Sequence, residues 1–230
     1  MPTVPIFDPK AAGRPMRVAG FMSGSGTNIL RLLEREKLLK ARQGGSPFEI
    51  VFIFSDRSDG SCYGESIACD IGIPYMSYDI RTFHRLRGFK RTVSTPEGLE
   101  VRREFDKVAA KLVKAFDVDV IALGGYMSYL TLDRCINVHP ADLSLLNAKG
   151  RPKYAGDNAV VDAIAAGEKL LRSSTIWTDK GVDTGPILMV SDPVKVQLPE
   201  PLESLISDRE KLLSVAEEHQ NRLKEAGDWK

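Results

Sequence analysis

Apolar residues in this chain come in short runs separated by longer amphipathic stretches, and the spacing within each predicts its element. Met16 to Met22 is a run of strand length, followed by the small-residue turn Ser23-Gly24-Ser25-Gly26-Thr27 and a helical spacing from Asn28 to about Leu39. Phe48 to Ser55 reads as a second strand, Tyr63 to Asp70 as a short helix stopped before Gly72, and Ile73 to Tyr78 as a third strand. A basic segment, Arg81 to Arg91, reads as a loop. Pro96 then opens a long amphipathic helix that runs to about Phe116, with Phe105, Val108, Leu112 and Val113 on one face. Val118 to Leu123 and Cys135 to Val138 are two more strands. Strands that alternate with helices are joined by crossovers, so the pattern predicts a three-layer α/β/α fold with a mostly parallel, Rossmann-like central sheet. In such a sheet ligands gather at the carboxyl ends of the strands.

Past this point the pattern changes. Asp142 to Gly156 is a polar loop, Asp157 to Ala166 a helix, Ser173 to Thr178 a strand and Pro186 to Val196 an extended run. From about Leu202 to Glu225 the spacing is helical but charged, with too few apolar residues for a central position. Met1 to Pro15 is a proline-spotted polar lead, and neither a repeat nor linker composition divides the remainder of the chain. The expected organisation is a disordered or extended lead over 1–15, one domain over 16–200, and a C-terminal helix over 201–230 that packs on that domain or extends from it.

Composition narrows the function more than the fold. At 230 residues and 43% hydrophobic content the chain has enough apolar material for a core. Its 32 basic and 31 acidic residues leave a net charge of +1, which gives no general attraction to nucleic acid or to an anionic membrane. There is no run of 18 apolar residues and the lead lacks the apolar centre of a signal peptide, so a cytoplasmic protein is expected. Cys62, Cys69 and Cys135 contain no CxxC, and His84, His139 and His219 show no recurring ligand spacing; neither a disulfide framework nor a metal site is expected.

The chemistry gathers at Asn137-Val138-His139-Pro140. Residues i and i+2 of a strand share a face, so the Asn137 amide and the His139 imidazole point together where Pro140 ends the pairing. A carboxylate, Asp183, sits in the glycine-flanked turn Gly181-Val182-Asp183-Thr184-Gly185-Pro186, from which it could orient the imidazole and hold it charged. An amide, an imidazole and a carboxylate suit acyl transfer to an amine. Gly24-Ser25-Gly26-Thr27-Asn28 lacks the third glycine of a dinucleotide fingerprint and the lysine of a P-loop, yet it opens a helix and can offer backbone N–H groups to a phosphate.

Taken in order, Ser23-Gly24-Ser25-Gly26-Thr27-Asn28-Ile29-Leu30, Gly125-Tyr126-Met127-Ser128-Tyr129-Leu130, Asn137-Val138-His139-Pro140, Lys153-Tyr154-Ala155-Gly156 and Val182-Asp183-Thr184-Gly185-Pro186-Ile187 resemble the motifs of the phosphoribosylglycinamide formyltransferase family over about residues 16 to 196. The resemblance implies the formyltransferase variant of the Rossmann-like fold and the transfer of a formyl group from 10-formyltetrahydrofolate, used as co-substrate without a metal, to the amine of phosphoribosylglycinamide in purine biosynthesis. It makes Asn137, His139 and Asp183 the catalytic residues. It places the substrate phosphate on Gly26, Thr27 and Asn28, and folate on Arg102, Met127, Ser128, Tyr129, Leu130 and Asn137. The implied partners are a small phosphorylated amine and folate, with no nucleic acid and no membrane, and the chain acts as a monomer or homodimer.

Departures from the family pattern leave other readings open. Ser128 stands where the family usually has Arg, a longer loop runs from Ala141 to Pro152, and Asn158 and Ile176 occupy regions where His is common. One alternative keeps the fold and changes the acceptor to an amino sugar, to methionyl-tRNA, or to water in a formyltetrahydrofolate hydrolase. A second is a non-catalytic ligand-binding module, which retention of Asn137, His139 and Asp183 argues against.

Overall fold

The glycine turn at Gly24–Gly26 lets the chain leave one strand and enter a helix at once, and the same economy recurs through the first half. In this computed structural model, which describes residues 5–226, the chain divides into two compact units, Met1–Cys135 and Ile136–Lys230. The division falls at the start of an apolar strand, where no linker composition marks it.

In the first unit, β1 (Met16–Met22), β2 (Phe48–Ser55), β3 (Tyr75–Ser77) and β4 (Val120–Leu123) lie in the order β3-β2-β1-β4, every neighbour parallel. Strand alternation sorts their side chains. Ala19, Phe21, Phe52, Phe54, Ile121 and Leu123 form one apolar layer with Ala109 of the long helix. On the opposite face Gly20 backs onto Ile29, and Gly64 onto Ile53 and Met22. Helices α2 (Thr27–Gln43) and α3 (Gly64–Ile71) therefore cover one face and α5 (Pro96–Ala115) the other, which gives the three layers expected. Thr95 caps α5, its hydroxyl accepting from the Gly98 N–H at 3.1 Å. Its buried face is Gly98, Arg102, Phe105, Asp106 and Ala109, and Val108, expected on that face, turns outward at 36% exposure.

Two further differences lie in this unit. The segment expected to be a basic loop contains α4 (Ile80–Leu86), capped by Asp79, whose carboxylate accepts from the Thr82 N–H at 2.6 Å. Ile80 and Phe83 pack on Phe105, an apolar edge hidden in the sequence by the arginines around it. The lead holds one helical turn, α1 (Pro9–Ala12), and Arg14 pairs with Asp119 at 2.6 Å; positions 1–4 lie outside the described residues.

The second unit is built on antiparallel pairing. Within it β5 (Cys135–His139) pairs with β7 (Ser174–Trp177), and β7 with β8 (Ile187–Val190), while β6 (Leu170–Leu171) pairs separately with β9 (Val194–Lys195). The single extended run expected from Pro186 to Val196 is thus two strands in two sheets. Helix α6 (Ala159–Ala165) packs with the tail, which breaks at Asp208 into α7 (Leu202–Ser207) and α8 (Arg209–Ala226). The expectation that this charged helix is peripheral is overturned. Leu212, Val215, Ala216 and Leu223 join Ala159, Val160, Ala163, Ile164 and Leu205 in the core of the unit. A narrow stripe at helical spacing is sufficient when its other sides face water.

Candidate active site

Strand β5 ends in two of the residues expected at the site, Asn137 and His139. Val138 is buried, and on the alternate positions Asn137 is half-buried and His139 is 5% exposed. Among the described residues no side-chain hydrogen bond engages the Asn137 amide, which leaves its N–H groups available. The His139 ring is held at both nitrogens: Nδ1 is 3.2 Å from Asp183 Oδ2, and Nε2 is 2.8 Å from the Tyr154 carbonyl oxygen. Both partners only accept, so each ring nitrogen faces an oxygen that can take a proton from it, and the Asp183 carboxylate is the charged group nearest the ring. Sequence reasoning expected Asn137 and His139 as donors side by side, with Asp183 orienting the imidazole. The Asn137 amide is unengaged among the described residues, and both His139 nitrogens face acceptors of the chain.

Asp183 is presented by a strained turn. Its own φ is 53°, in the left-handed region that a non-glycine residue seldom enters. Gly185 allows the close approach behind it, since a Cβ there would stand 1.8 Å from the Trp177 carbonyl oxygen. Asp179 knits the turn, accepting from the Gly181 N–H at 2.8 Å and the Thr184 hydroxyl at 2.7 Å. The Asp183 carboxylate also accepts from the Gly156 N–H at 2.8 Å, on the same Oδ2 that faces His139. Strain of this kind is stored where the surrounding contacts over-determine it, and here they fix a carboxylate against an imidazole.

The first unit carries the other predicted groups. Gly26, at φ 67°, is the N-cap of α2 with no side-chain cap, so the positive end of a 17-residue helix is open at Thr27 and Asn28. A Cβ on Gly26 would meet Met22 Cε at 2.3 Å, so the turn excludes side chains for packing as well as for backbone access. Asn28 Oδ1 is buried without a hydrogen-bond partner, an acceptor left for something other than the chain.

Beside this loop lies a carboxylate that sequence reasoning missed. Asp56, 2% exposed, accepts from the Ser23 hydroxyl at 2.6 Å and from the Ser128 hydroxyl, and Ser23 in turn accepts from the Met127 N–H at 3.0 Å. Ser128 is therefore a strut between the Met127–Leu130 segment and the end of β2. Only the run of small and acidic residues after β2 could have hinted at it.

Met127, Ser128, Tyr129 and Arg102 line a cleft of about 280 Å³ together with Ile80, His84, Arg91, Thr92 and Val93, while Leu130 packs into the apolar layer instead. Arg102, 2% exposed, has its charge committed to Asp106, 2.9 Å away, and donates to the Tyr126 hydroxyl at 3.1 Å; burial pushes the Tyr126 phenol upward. The neighbouring arginines are not equivalent. Arg81 pairs with Asp59 and Arg87 lies over the Phe83 ring, whereas Arg91 stands on the cleft without an ion pair among the described residues. His84, 3% exposed, gives Nδ1 to the Ile80 carbonyl at 2.8 Å and borders the same cleft.

A sequence model of the formyl transferase family matches residues 16–211, and the chain belongs to that family. Among curated relatives, the trifunctional purine biosynthetic protein adenosine-3 of Drosophila melanogaster is 29% identical over 183 residues; the match covers 76% of this chain and 11% of that protein. The phosphoribosylglycinamide formyltransferase of Mycobacterium tuberculosis is 28% identical over 199 residues, covering 84% of this chain and 76% of its own length. Two solved structures share the fold. Glycinamide ribonucleotide transformylase 1 of Symbiobacterium toebii superposes with a TM-score of 0.60 at 24% identity, covering 91% of this chain and 86% of that one. A formyltetrahydrofolate deformylase of Pseudomonas syringae gives 0.56 at 21% identity, covering 92% and 63%. Among the described residues no helix is long and apolar enough to cross a membrane, and no group of three His, Cys, Asp or Glu side chains is placed to hold a metal ion.

Proposed function

We propose that this chain transfers a formyl group from 10-formyltetrahydrofolate to the primary amine of phosphoribosylglycinamide, a step of purine biosynthesis. The observation that carries the reading is the His139–Asp183 contact at 3.2 Å beside the unengaged amide of Asn137, in a chain of the formyl transferase family. Attack of the amine on the formyl carbon forms a carbon–nitrogen bond and turns the formyl oxygen into an oxyanion. The Asn137 amide donates to that oxygen, and the imidazolium of His139 adds positive charge at the same strand end; one preorganised donor of this kind is worth a factor of ~10²–10³. Collapse then breaks the bond to N10 of the folate, the amine gives up a proton, and N10 gains one. The Asp183 carboxylate keeps the imidazolium in place while charge builds and decays.

Gly26, Thr27 and Asn28 take the acceptor's phosphate at the open end of α2. Arg102, Met127, Ser128 and Tyr129 shape the folate wall, with Leu130 packed in the apolar layer behind them, Ser128 acting through Asp56 and Arg91 supplying free positive charge. Phosphate and folate are both small-molecule partners, and the protein works in the cytoplasm on them rather than on nucleic acid, as a monomer or homodimer.

The test is a formyl-transfer assay of the purified protein with 10-formyltetrahydrofolate, comparing phosphoribosylglycinamide with its dephosphorylated form. Transfer that depends on the phosphate supports the reading. Release of formate without any amine, as the likeness to a deformylase allows, would replace it.

A further inference from the structure

We infer that Tyr154 and Glu168 are positioning residues for this reaction: a phenol–carboxylate tether that holds the backbone clamp on His139 and Asp183. The inference rests on the proposed function and extends it to side chains that touch no reacting atom.

The segment Lys153 to Gly156 grips the catalytic pair by its backbone from two sides. The Tyr154 carbonyl accepts from His139 Nε2 at 2.8 Å, and two residues on the Gly156 N–H donates to Asp183 Oδ2 at 2.8 Å. Backbone groups hold a ring steadily only when the segment itself is fixed. Gly156, at φ 82°, is a bend with open space where a Cβ would stand, and in the loop before it, from Ala141 to Pro152, the Leu143 N–H donates to Ser174 Oγ at 2.9 Å while the later part is closed by local turns such as Lys149 on Asn147.

What fixes it is the Tyr154 side chain. Its ring is buried in the core of the second unit with Ala159, Val160 and Ala163. Its hydroxyl reaches Glu168 Oε1 at 2.7 Å, and Lys153 Nζ meets the same oxygen at 3.0 Å. Glu168 is anchored in turn just past α6, its own N–H donating to the Ala163 carbonyl at 3.1 Å. Hydrogen bonds from the phenol and then the ammonium hold the Glu168 carboxyl below its usual range, and burial with the Glu168 contact pushes the Tyr154 phenol up; both directions favour a neutral hydroxyl donating to a carboxylate. A chain of contacts thus runs from the end of α6 through Glu168 and Tyr154 to His139. Removing the phenolic oxygen should leave the ring packed and the carbonyl free to drift, and small misplacements of catalytic groups are costly in rate.

Three variants test this. Tyr154→Phe keeps the ring and loses the hydroxyl, Glu168→Ala removes the anchor, and Glu168→Gln keeps an oxygen that can still accept from the phenol. Turnover is expected to fall on the order of tenfold in the first two, with KM for both substrates changed less than about twofold. Glu168→Gln should recover most of the loss. The ring N–H signal of His139 in proton NMR, identified by its absence in His139→Asn, should be slow to exchange in the wild type and in Glu168→Gln, and broadened in the other two. Wild-type turnover with an unchanged signal in Tyr154→Phe overturns the inference, as does a loss carried wholly by KM. If the wild-type protein transfers no formyl at all, the proposed function fails, and the NMR comparison still decides the tether.

Discussion

Each unit of this chain buries a carboxylate against a basic side chain, and the two pairs are finished differently. Arg102 and Asp106 sit one helical turn apart on α5, with side chains 3% and 1% exposed; Asp106 Oδ2 is surrounded by donors, while Oδ1 lies 2.9 Å from Arg102 Nη2 without a hydrogen bond. Asp106 accepts from the Thr131 N–H and hydroxyl, each at 2.8 Å, while Arg102 donates to Tyr126 and lies 4.9 Å from the Phe105 ring centre. His139 and Asp183 are 6% and 10% exposed, come from two different turns of chain, and border an unengaged amide. A closed pair fixes local structure; a pair with a free donor beside it can still act on something else. Burial alone does not tell them apart; the unengaged amide of Asn137 at the end of the same strand does.

The largest effect should come from breaking the closed pair. Arg102→Met leaves Asp106 as a buried carboxylate with two neutral donors, and loss of one partner from a buried pair costs about 3–5 kcal/mol. Urea unfolding should show that loss as a lower midpoint with an unchanged slope. A stability within about 1 kcal/mol of wild type would mean that Arg102 is held for its ligand contact and not for Asp106.

The open pair should fail in the opposite way. Asp183→Asn keeps size and one acceptor but removes the charge that faces His139 Nδ1, so turnover is expected to drop on the order of 10²-fold with little change in melting temperature. Asn also tolerates the left-handed backbone found at this position, φ 53°, which keeps the turn intact. Near wild-type turnover would make Asp183 a turn residue and remove the chemical half of the comparison.

These contrasts also show what could be read from the chain beforehand. Strands β1 and β2 were legible to the residue because apolar runs of strand length are bounded by turns on both sides. The His139–Asp183 contact was legible because both motifs carry their own geometry, a strand end and a glycine-flanked turn. Helix α4 was not, since its apolar edge is two residues wide amid arginines, and the central place of α8 was not, since its stripe is diluted by charge. Asp56, Glu168 and the Tyr154 carbonyl were invisible for another reason. Their roles depend on partners 72, 14 and 15 residues away in sequence, through contacts that no local period announces.

A smaller effect should separate the paired arginine from the unpaired one on the same cleft. Arg91 has no ion pair among the described residues, so Arg91→Ala removes charge without orphaning a partner, and stability should stay within about 0.5 kcal/mol. The KM for the folate substrate should rise several-fold, and the rise should shrink as salt is added, because an exposed charge is screened. An unchanged KM at low salt would place the folate's charge elsewhere.

The smallest effect expected is one of pH, at the rim of the second unit. Glu168 has its carboxyl lowered by the Tyr154 hydroxyl first and Lys153 second, from the ordinary value of 4.5. A carboxyl depressed in the folded state contributes stability that is fully present above its unfolded value and is lost as pH falls through the lower folded one. The tether should therefore be intact at neutral pH and down to 4.5, and weaken only below it. Its side chain is 30% exposed, so the contribution is modest and screened by salt. Thermal melts of wild type and Glu168→Gln, run across that range, should differ by a constant small amount above it and converge below, because the amide does not titrate. Convergence that is already complete between neutral pH and about pH 5 would contradict the depressed carboxyl and leave Tyr154 held by packing alone.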